Sequence, residues 1–161
     1  MSVTLFVMGV CGCGKTTIGK ALSEQLQLPF LEGDSFHPEE NIKKMKLGQA
    51  LTDADRMPWL KKINVAIGTH KEEGCVVACS ALKANYREIL SDTLINENVR
   101  WFLLQGSLEL ISNRLKTRKD HFMPSKLLAS QFEALEITAD LTPIAINQTE
   151  TAIVDEIIKK L

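Results

Sequence analysis

Gly9-Val10-Cys11-Gly12-Cys13-Gly14-Lys15-Thr16 reads as a complete G-x-x-x-x-G-K-[ST] phosphate loop. The residues on either side agree with that reading. Val3 to Met8 (Val-Thr-Leu-Phe-Val-Met) is a short apolar run rich in strand formers, the pattern of a buried strand. Beyond the loop, Ile18, Ala21, Leu22 and Leu26 recur at helical spacing, so an amphipathic helix opens at Lys15. Strand, glycine loop and helix N-terminus therefore come in the order that converges backbone N–H groups and a positive helix end on an anion. In such a loop the lysine reaches the β- and γ-phosphates of ATP, and the hydroxyl after it, here Thr16, is a ligand for Mg²⁺. Gly9, Val10, Cys11, Gly12, Cys13, Gly14, Lys15, Thr16 and Thr17 are accordingly assigned to the nucleotide. The same glycines overlap a G-x-G-x-x-G dinucleotide pattern, but Thr17 stands where its third glycine belongs.

The chain as a whole has the balance of a globular enzyme. Its 161 residues suit one domain, 45% are hydrophobic and 24% charged. A net charge of −1 carries no nucleic-acid footprint, so an anionic ligand has to be met by locally placed cations. No run approaches membrane-spanning length and the first strand begins at once, which leads to the expectation of a soluble cytoplasmic protein without a signal peptide. Cys11 and Cys13 sit in the phosphate loop, and Cys75 and Cys79 bound an apolar run. Neither spacing is a standard zinc knuckle, and four reduced thiols are expected. Beside a helix N-terminus, Cys11 and Cys13 are expected to have lowered thiol pKa values and to be sensitive to oxidants.

Strand and helix patterns alternate along the chain. Residues 28–32 read as a second strand ending at Gly33-Asp34, and Pro38 with Glu39 and Glu40 as a helix start with Pro in the first position. Thr52-Asp53-Ala54-Asp55 resembles a capping box before a helix carrying Trp59, Ile63, Ala66 and Ile67. Cys75 to Cys79, Arg100 to Leu104 and Pro143 to Ile146 read as further strands. Helical stripes follow each: Tyr86, Ile89, Leu90 and Leu94; Leu108, Ile111 and Leu115; Ile153, Val154, Ile157, Ile158 and Leu161. Such alternation predicts an α/β fold with a five-stranded parallel sheet covered on both faces, whose ligands bind beyond the carboxyl ends of the strands.

The polar residues that fall at that edge are the candidates for chemistry. Asp34 ends the second strand, where a carboxylate takes the proton of an attacking hydroxyl or holds a water on Mg²⁺; the alternative is a turn aspartate after Gly33. The third strand ends in Cys79-Ser80 and supplies no acid of its own. His37 is either a substrate contact or the cap of the helix at Pro38. Arg56 offers a fork for a carboxylate or phosphate, or else a salt bridge to Asp53 or Asp55. Ser80 and Lys83 would overlook the site, unless Lys83 is a solvated helix-start residue. Arg114, Lys116, Arg118, Lys119 and Lys126 face a single Asp120 and precede a break at Pro124, which predicts a basic lid over roughly residues 114–126 that closes on triphosphate, with Arg114 and Arg118 on the nucleotide.

Taken together these segments resemble the gluconokinases, a family with the nucleoside-monophosphate-kinase type of fold allied to shikimate kinase. The matching residues are Gly33-Asp34-Ser35-Phe36-His37-Pro38, Asn41 with Lys44-Met45, and Gly48 with Leu51-Thr52-Asp53-Ala54-Asp55-Arg56-Met57-Pro58-Trp59-Leu60. Ala78-Cys79-Ser80-Ala81-Leu82-Lys83, Tyr86-Arg87, His121-Phe122-Met123-Pro124 and Ser130-Gln131-Phe132-Glu133-Ala134-Leu135-Glu136 extend the match. The resemblance implies a three-layer P-loop kinase fold with strand order 2-3-1-4-5 and often a homodimer. It implies Mg²⁺-dependent transfer of the ATP γ-phosphoryl group to the 6-hydroxyl of D-gluconate. It places Lys15 and Asp34 in catalysis and Asp34, His37, Arg56, Ser80 and Lys83 around the acceptor. Ser35 stands where the family more often has a second acid, and Cys11 and Cys13 where it more often has serines. A switch GTPase would share the loop, but its Asp-x-x-Gly and Asn-Lys-x-Asp segments do not occur.

Overall fold

The central strand β1 (Val3–Met8) buries nearly every residue because both of its faces are covered. Its alternation sorts the core in two: Leu5 and Val7 point to one side of the sheet, Phe6 and Met8 to the other. The computed structural model describes residues 2–94, 98–118 and 125–161. After β1 come α1 (Lys15–Leu26), β2 (Phe30–Glu32), a 3-10 turn (Gly33–Phe36), α2 (Glu39–Lys46), α3 (Asp53–Gly68), β3 (Cys75–Ala78) and α4 (Ala84–Ser91). The chain continues through β4 (Asn98–Gln105), α5 (Leu108–Thr117), α6 (Ser125–Ala134), β5 (Leu141–Ala145) and α7 (Glu150–Lys159). All pairings are parallel and the strand order is β2-β3-β1-β4-β5, the order implied above.

Three layers result. On one face Ile18 and Leu22 of α1, Ile111 of α5, Leu128 of α6 and Ile153, Val154 and Ile157 of α7 close over Leu5, Val7 and Phe102. On the other, Trp59, Leu60, Ile63 and Ile67 of α3 and Tyr86 and Leu90 of α4 close over Phe6, Met8, Val77 and Leu103. Phe6 stacks on Trp101 of the neighbouring strand, with ring centroids 3.8 Å apart. Each fully buried side chain of this size contributes about 1.5–3 kcal/mol of transfer free energy, so the two apolar layers hold the sheet from both sides.

Several boundaries differ from the sequence expectation for local reasons. Strand β2 starts at Phe30 rather than at residue 28, because Pro29 has no N–H for the ladder, although its carbonyl accepts from Val76 N–H at 2.8 Å. It ends at Glu32, where the chain tightens into the 3-10 turn and Glu32 Oε1 accepts the Asp34 N–H at 3.3 Å. Pro38 is the N-cap of α2, with extended backbone (ψ 157°), rather than its first helical residue. The Thr52–Asp55 capping box is present on α3 in both directions. Helix α6 is an element that the sequence pattern did not indicate. Of the residues expected to form the lid, Arg114 and Lys116 lie in α5 and Lys126 in the first turn of α6. Leu128 is fully buried and anchors α6 to the core. The lid expectation at Lys119, Asp120, His121 and Pro124 lies outside the described residues.

Candidate active site

Gly14 lies outside the right-handed region at φ 101°, and nothing within 4 Å would meet a side chain there, so the inner face of the loop is open. Lys15 then starts α1, whose first turn carries no acid, leaving the positive helix end clear for an anion. Gly9 N–H is held by Ser80 O at 3.3 Å, which fastens the start of the loop to the end of β3. The Lys15 ammonium folds back over the loop and donates to Val10 O at 3.0 Å. Burial works against its charge, but Cys13 and Asp34 outweigh that and raise its pKa.

The cleft beside the loop has a volume of about 320 Å³. Of the residues singled out from sequence, Cys11, Lys15, Asp34, His37, Arg56 and Ser80 line it together. Its remaining walls come from α2 (Ile42, Met45, Lys46), the Gln49–Leu51 connection, Trp59, and Leu127, Ser130 and Gln131 of α6. Arg56 makes no salt bridge to Asp53 or Asp55. Its Nη1 donates to Leu51 O at 2.8 Å and to the Tyr86 hydroxyl at 3.2 Å, and the guanidinium lies 5.5 Å from the Tyr86 ring centre. Asp55 is taken by Lys44 at 2.8 Å, and Asp53 by Lys83 at 3.0 Å and by the Tyr86 hydroxyl. Lys83 is thus the N-cap residue of α4, paired to Asp53, and is not among the residues lining the cleft.

His37 stacks on Trp59, with centroids 4.1 Å apart and planes 12° from parallel, and Trp59 Nε1 donates to Gly33 O at 2.7 Å. Burial, with help from Arg56, lowers the His37 pKa to about 4 in spite of Asp34. The imidazole is therefore neutral at pH 7.

Thr16 meets a residue the sequence reading had passed over. Its hydroxyl donates to the carboxylate of Glu32, at the end of β2. Glu32 is paired in register with Ala78, so the acid that β3 lacks is supplied one strand away. The Glu-Gly-Asp order was a usable signal, since Glu32 ends the strand and Asp34 lies in the 3-10 turn that follows it. The hydroxyl and carboxylate are hard oxygen donors and fit Mg²⁺, which takes one or two protein groups and completes its shell with phosphate and water.

Arg114 lies on α5 and its Nη2 donates to Ile146 O at 2.8 Å, at the end of β5. Arg118, just beyond α5, is exposed, and its charge reaches Cys11 as that of Arg114 reaches Cys13. Thr17 is exposed on the first turn of α1. The expected lowering of the loop thiols is overturned. Burial raises the pKa of Cys11 and of Cys13 and outweighs the opposing charge of Lys15. Cys13 is only 1% exposed, and desolvation of its thiolate exceeds what the helix end returns. Gln131 Oε1 accepts the Cys11 N–H at 2.7 Å, and the buried Arg87 joins the end of α6 to the β3–α4 connection through Ala81 O at 2.7 Å and Glu136 O at 2.8 Å.

A family model for shikimate kinase matches residues 11–161. The gluconokinase of Gluconobacter oxydans (strain 621H) is 45% identical over 143 residues, spanning 87% of this chain and 79% of that protein. The thermoresistant gluconokinase of Escherichia coli (strain K12) is 41% identical over 143 residues, spanning 87% of this chain and 81% of that protein. Among solved structures, a gluconokinase from Sinorhizobium meliloti 1021 superposes with a TM-score of 0.86 at 40% identity, over 95% of this chain and 87% of that one. A phosphate loop at the centre of a 2-3-1-4-5 sheet and these relatives agree: the chain belongs to the gluconokinases, within the shikimate kinase family, and is a phosphotransferase.

Proposed function

We propose that the protein transfers the γ-phosphoryl group of ATP to the 6-hydroxyl of D-gluconate. The observation that carries this reading is the convergence of Lys15 and Asp34 on one cleft of about 320 Å³, with Arg56 on its wall. The gluconokinase names of the relatives support the choice of acceptor.

In this reading the loop N–H groups and the α1 end hold the β- and γ-phosphates, and Lys15 swings from Val10 O to the transferring group. Thr16 and Glu32 would hold Mg²⁺, which would supply positive charge against the phosphate oxygens. Asp34 accepts the proton as the acceptor oxygen bonds to γ-phosphorus and the bond to the ADP oxygen breaks. Arg56 carries positive charge on the acceptor side, and Lys46 carries a second across the cleft on α2. His37 and Ser80 contact acceptor oxygens. Lys83 acts at one remove, through Asp53 and Tyr86 beside Arg56. Arg114 and Arg118 flank the nucleotide and move with the segment between α5 and α6 as a lid.

An ADP-release assay over gluconate, other aldonates, shikimate, glucose and nucleoside monophosphates tests the proposal. Gluconate should be used best, and glucose orders of magnitude more slowly, because cationic groups left without a carboxylate penalise the analogue. Faster turnover of shikimate or of a nucleoside monophosphate would overturn it.

A further inference from the structure

Asn41 of α2 is one of the few polar side chains the fold buries, at 2% exposure. Its Nδ2 lies 2.9 Å from the main-chain oxygen of Asp55 and 3.2 Å from Nδ1 of His37. A peptide carbonyl can only accept, so the amide atom facing it is the NH₂ group, and this sets the orientation of the whole amide. That NH₂ has hydrogens and no lone pair to offer. Its second contact therefore requires a lone pair on His37 Nδ1. A neutral imidazole with a bare Nδ1 carries its proton on Nε2. An imidazolium would set two N–H groups against each other at 3.2 Å.

The ring has little freedom to escape this assignment. It is stacked on Trp59, which is tied to Gly33 O. Asn41 is in turn tied to the first turn of α3 through Asp55, whose carboxylate closes the capping box with Thr52 and pairs with Lys44. Among the described residues, the charged groups that face His37 are Asp34 from the 3-10 turn and Arg56 from α3. Asp34 is the only carboxylate among the described residues lining the cleft.

We propose that Asn41 is a positioning residue that locks His37 as the neutral Nε2–H tautomer, so that His37 serves the phosphoryl acceptor as a hydrogen-bond donor and never as a base. The donor half of this statement rests on the function proposed above. It divides the work of the cleft: Asp34 accepts the proton, and His37 recognises an acceptor oxygen, of a polyol hydroxyl or of a carboxylate, that can receive an N–H. A hydroxyl fixed in the cleft with its hydrogen on Asp34 still has lone pairs to accept from His37, whereas a bare hydrocarbon edge has none. The same lock makes acceptor recognition insensitive to pH across the neutral range.

The test is a two-bond ¹H–¹⁵N correlation spectrum of the full chain at pH 7, with His37 distinguished from the other two of the three histidines by the spectrum of His37→Gln. The expected result is a ring with unprotonated Nδ1 and protonated Nε2, whose Nε2 signal shifts when gluconate is added. Asn41→Asp replaces the donor by an acceptor, so the proton should move to Nδ1. The Michaelis constant for gluconate should then rise about tenfold, with kcat changed much less, as for loss of one hydrogen bond to substrate. His37→Gln, which keeps an N–H near the Nε2 position, should retain more activity than His37→Ala. A wild-type ring protonated on Nδ1, or on both nitrogens, would overturn the proposal whether or not the variants fold. An Nε2–H ring whose signal ignores saturating gluconate in an enzyme that turns gluconate over would overturn the donor role. Failure to phosphorylate gluconate with the Nε2–H ring intact would instead remove the proposed function and leave the Asn41 lock standing.

Discussion

Gln131 Oε1 accepts the backbone N–H of Cys11 at 2.7 Å, joining α6 to the phosphate loop across 120 residues of chain. An uncharged acceptor at that position grips the loop without repelling the phosphates the loop is shaped to hold. Gln131→Glu keeps the acceptor and adds a negative charge beside the γ-phosphate position. The variant should fold with a near-normal melting temperature, while the Michaelis constant for ATP rises roughly tenfold or more, since like charges at close range outweigh a retained hydrogen bond. Unchanged ATP kinetics in Gln131→Glu would show that α6 packs on the loop without facing the nucleotide.

Lys15 and Asp34 should separate cleanly by substitution. Lys15→Met removes a preorganised cation and should cost about 2.7–4 kcal/mol of transition-state stabilisation, a hundredfold or more in kcat, with the fold intact by circular dichroism. Asp34→Asn keeps the shape and removes the base, so kcat should fall on the order of 10²–10⁴ while ATP binding measured by titration persists. If Asp34 only shaped the turn after Gly33, its variant would lose melting temperature and keep its turnover.

Glu32 should show itself in the metal dependence. Glu32→Gln retains an oxygen for the Thr16 hydroxyl but removes the charge, and the Mg²⁺ concentration giving half-maximal rate should rise about 10–100-fold. Recovery of wild-type rate at high Mg²⁺ is the expected signature. An unchanged Mg²⁺ titration would place the ion elsewhere.

The cysteines should be slow to react. Burial raises all four thiols, Cys75 to about 11 and Cys79 to about 12. Alkylation by iodoacetamide at pH 7 should therefore run well below the rate of a free thiol, with Cys11, the least enclosed, modified first. Rapid modification of Cys13 in the folded protein would contradict the burial seen here.

Asp55 gives a pH signature in the acid range. The Lys44 ammonium and the Thr52 N–H pull its pKa from 3.8 to about 2. A depressed carboxylate stabilises the fold above its unfolded pKa, near pH 4, and loses that contribution as pH falls through about 2. Lys44→Met should therefore be less stable than wild type at pH 6 in a urea titration, and the gap should close toward pH 2. Because both partners are partly exposed, the gap should also shrink in high salt. A difference between the two proteins that persists below pH 2 would assign Lys44 a packing role instead.

Local pattern alone determined the phosphate loop, the strand before it, the helix after it, the alternation that makes a parallel sheet, and the Thr52 cap. Each of these is written within a few residues, as a period of 2 or 3.6 or as a glycine spacing, so no distant partner is needed to read it. The segment quoted for its resemblance also pointed to the strand order. The tertiary structure decided what faces what. Glu32 looks like an ordinary strand-end acid until β2 is laid beside β3 and brought against Thr16. Helix α6 was missed in sequence because Leu127 and Leu128 follow a run of cations and Pro124, and it is the burial of Leu128 against the sheet that marks Ser125–Ala134 as a helix of the core layer. Lys83 looked like a site residue by position, but the packing of α3 on α4 sets Asp53 within its reach. The state of His37 depends on Asn41, Asp55 and Trp59, which meet only when α2 and α3 close around the 3-10 turn. Protonation, tautomer and thiol reactivity all follow from desolvation and partner identity, and those are properties of the packed chain rather than of any stretch of it.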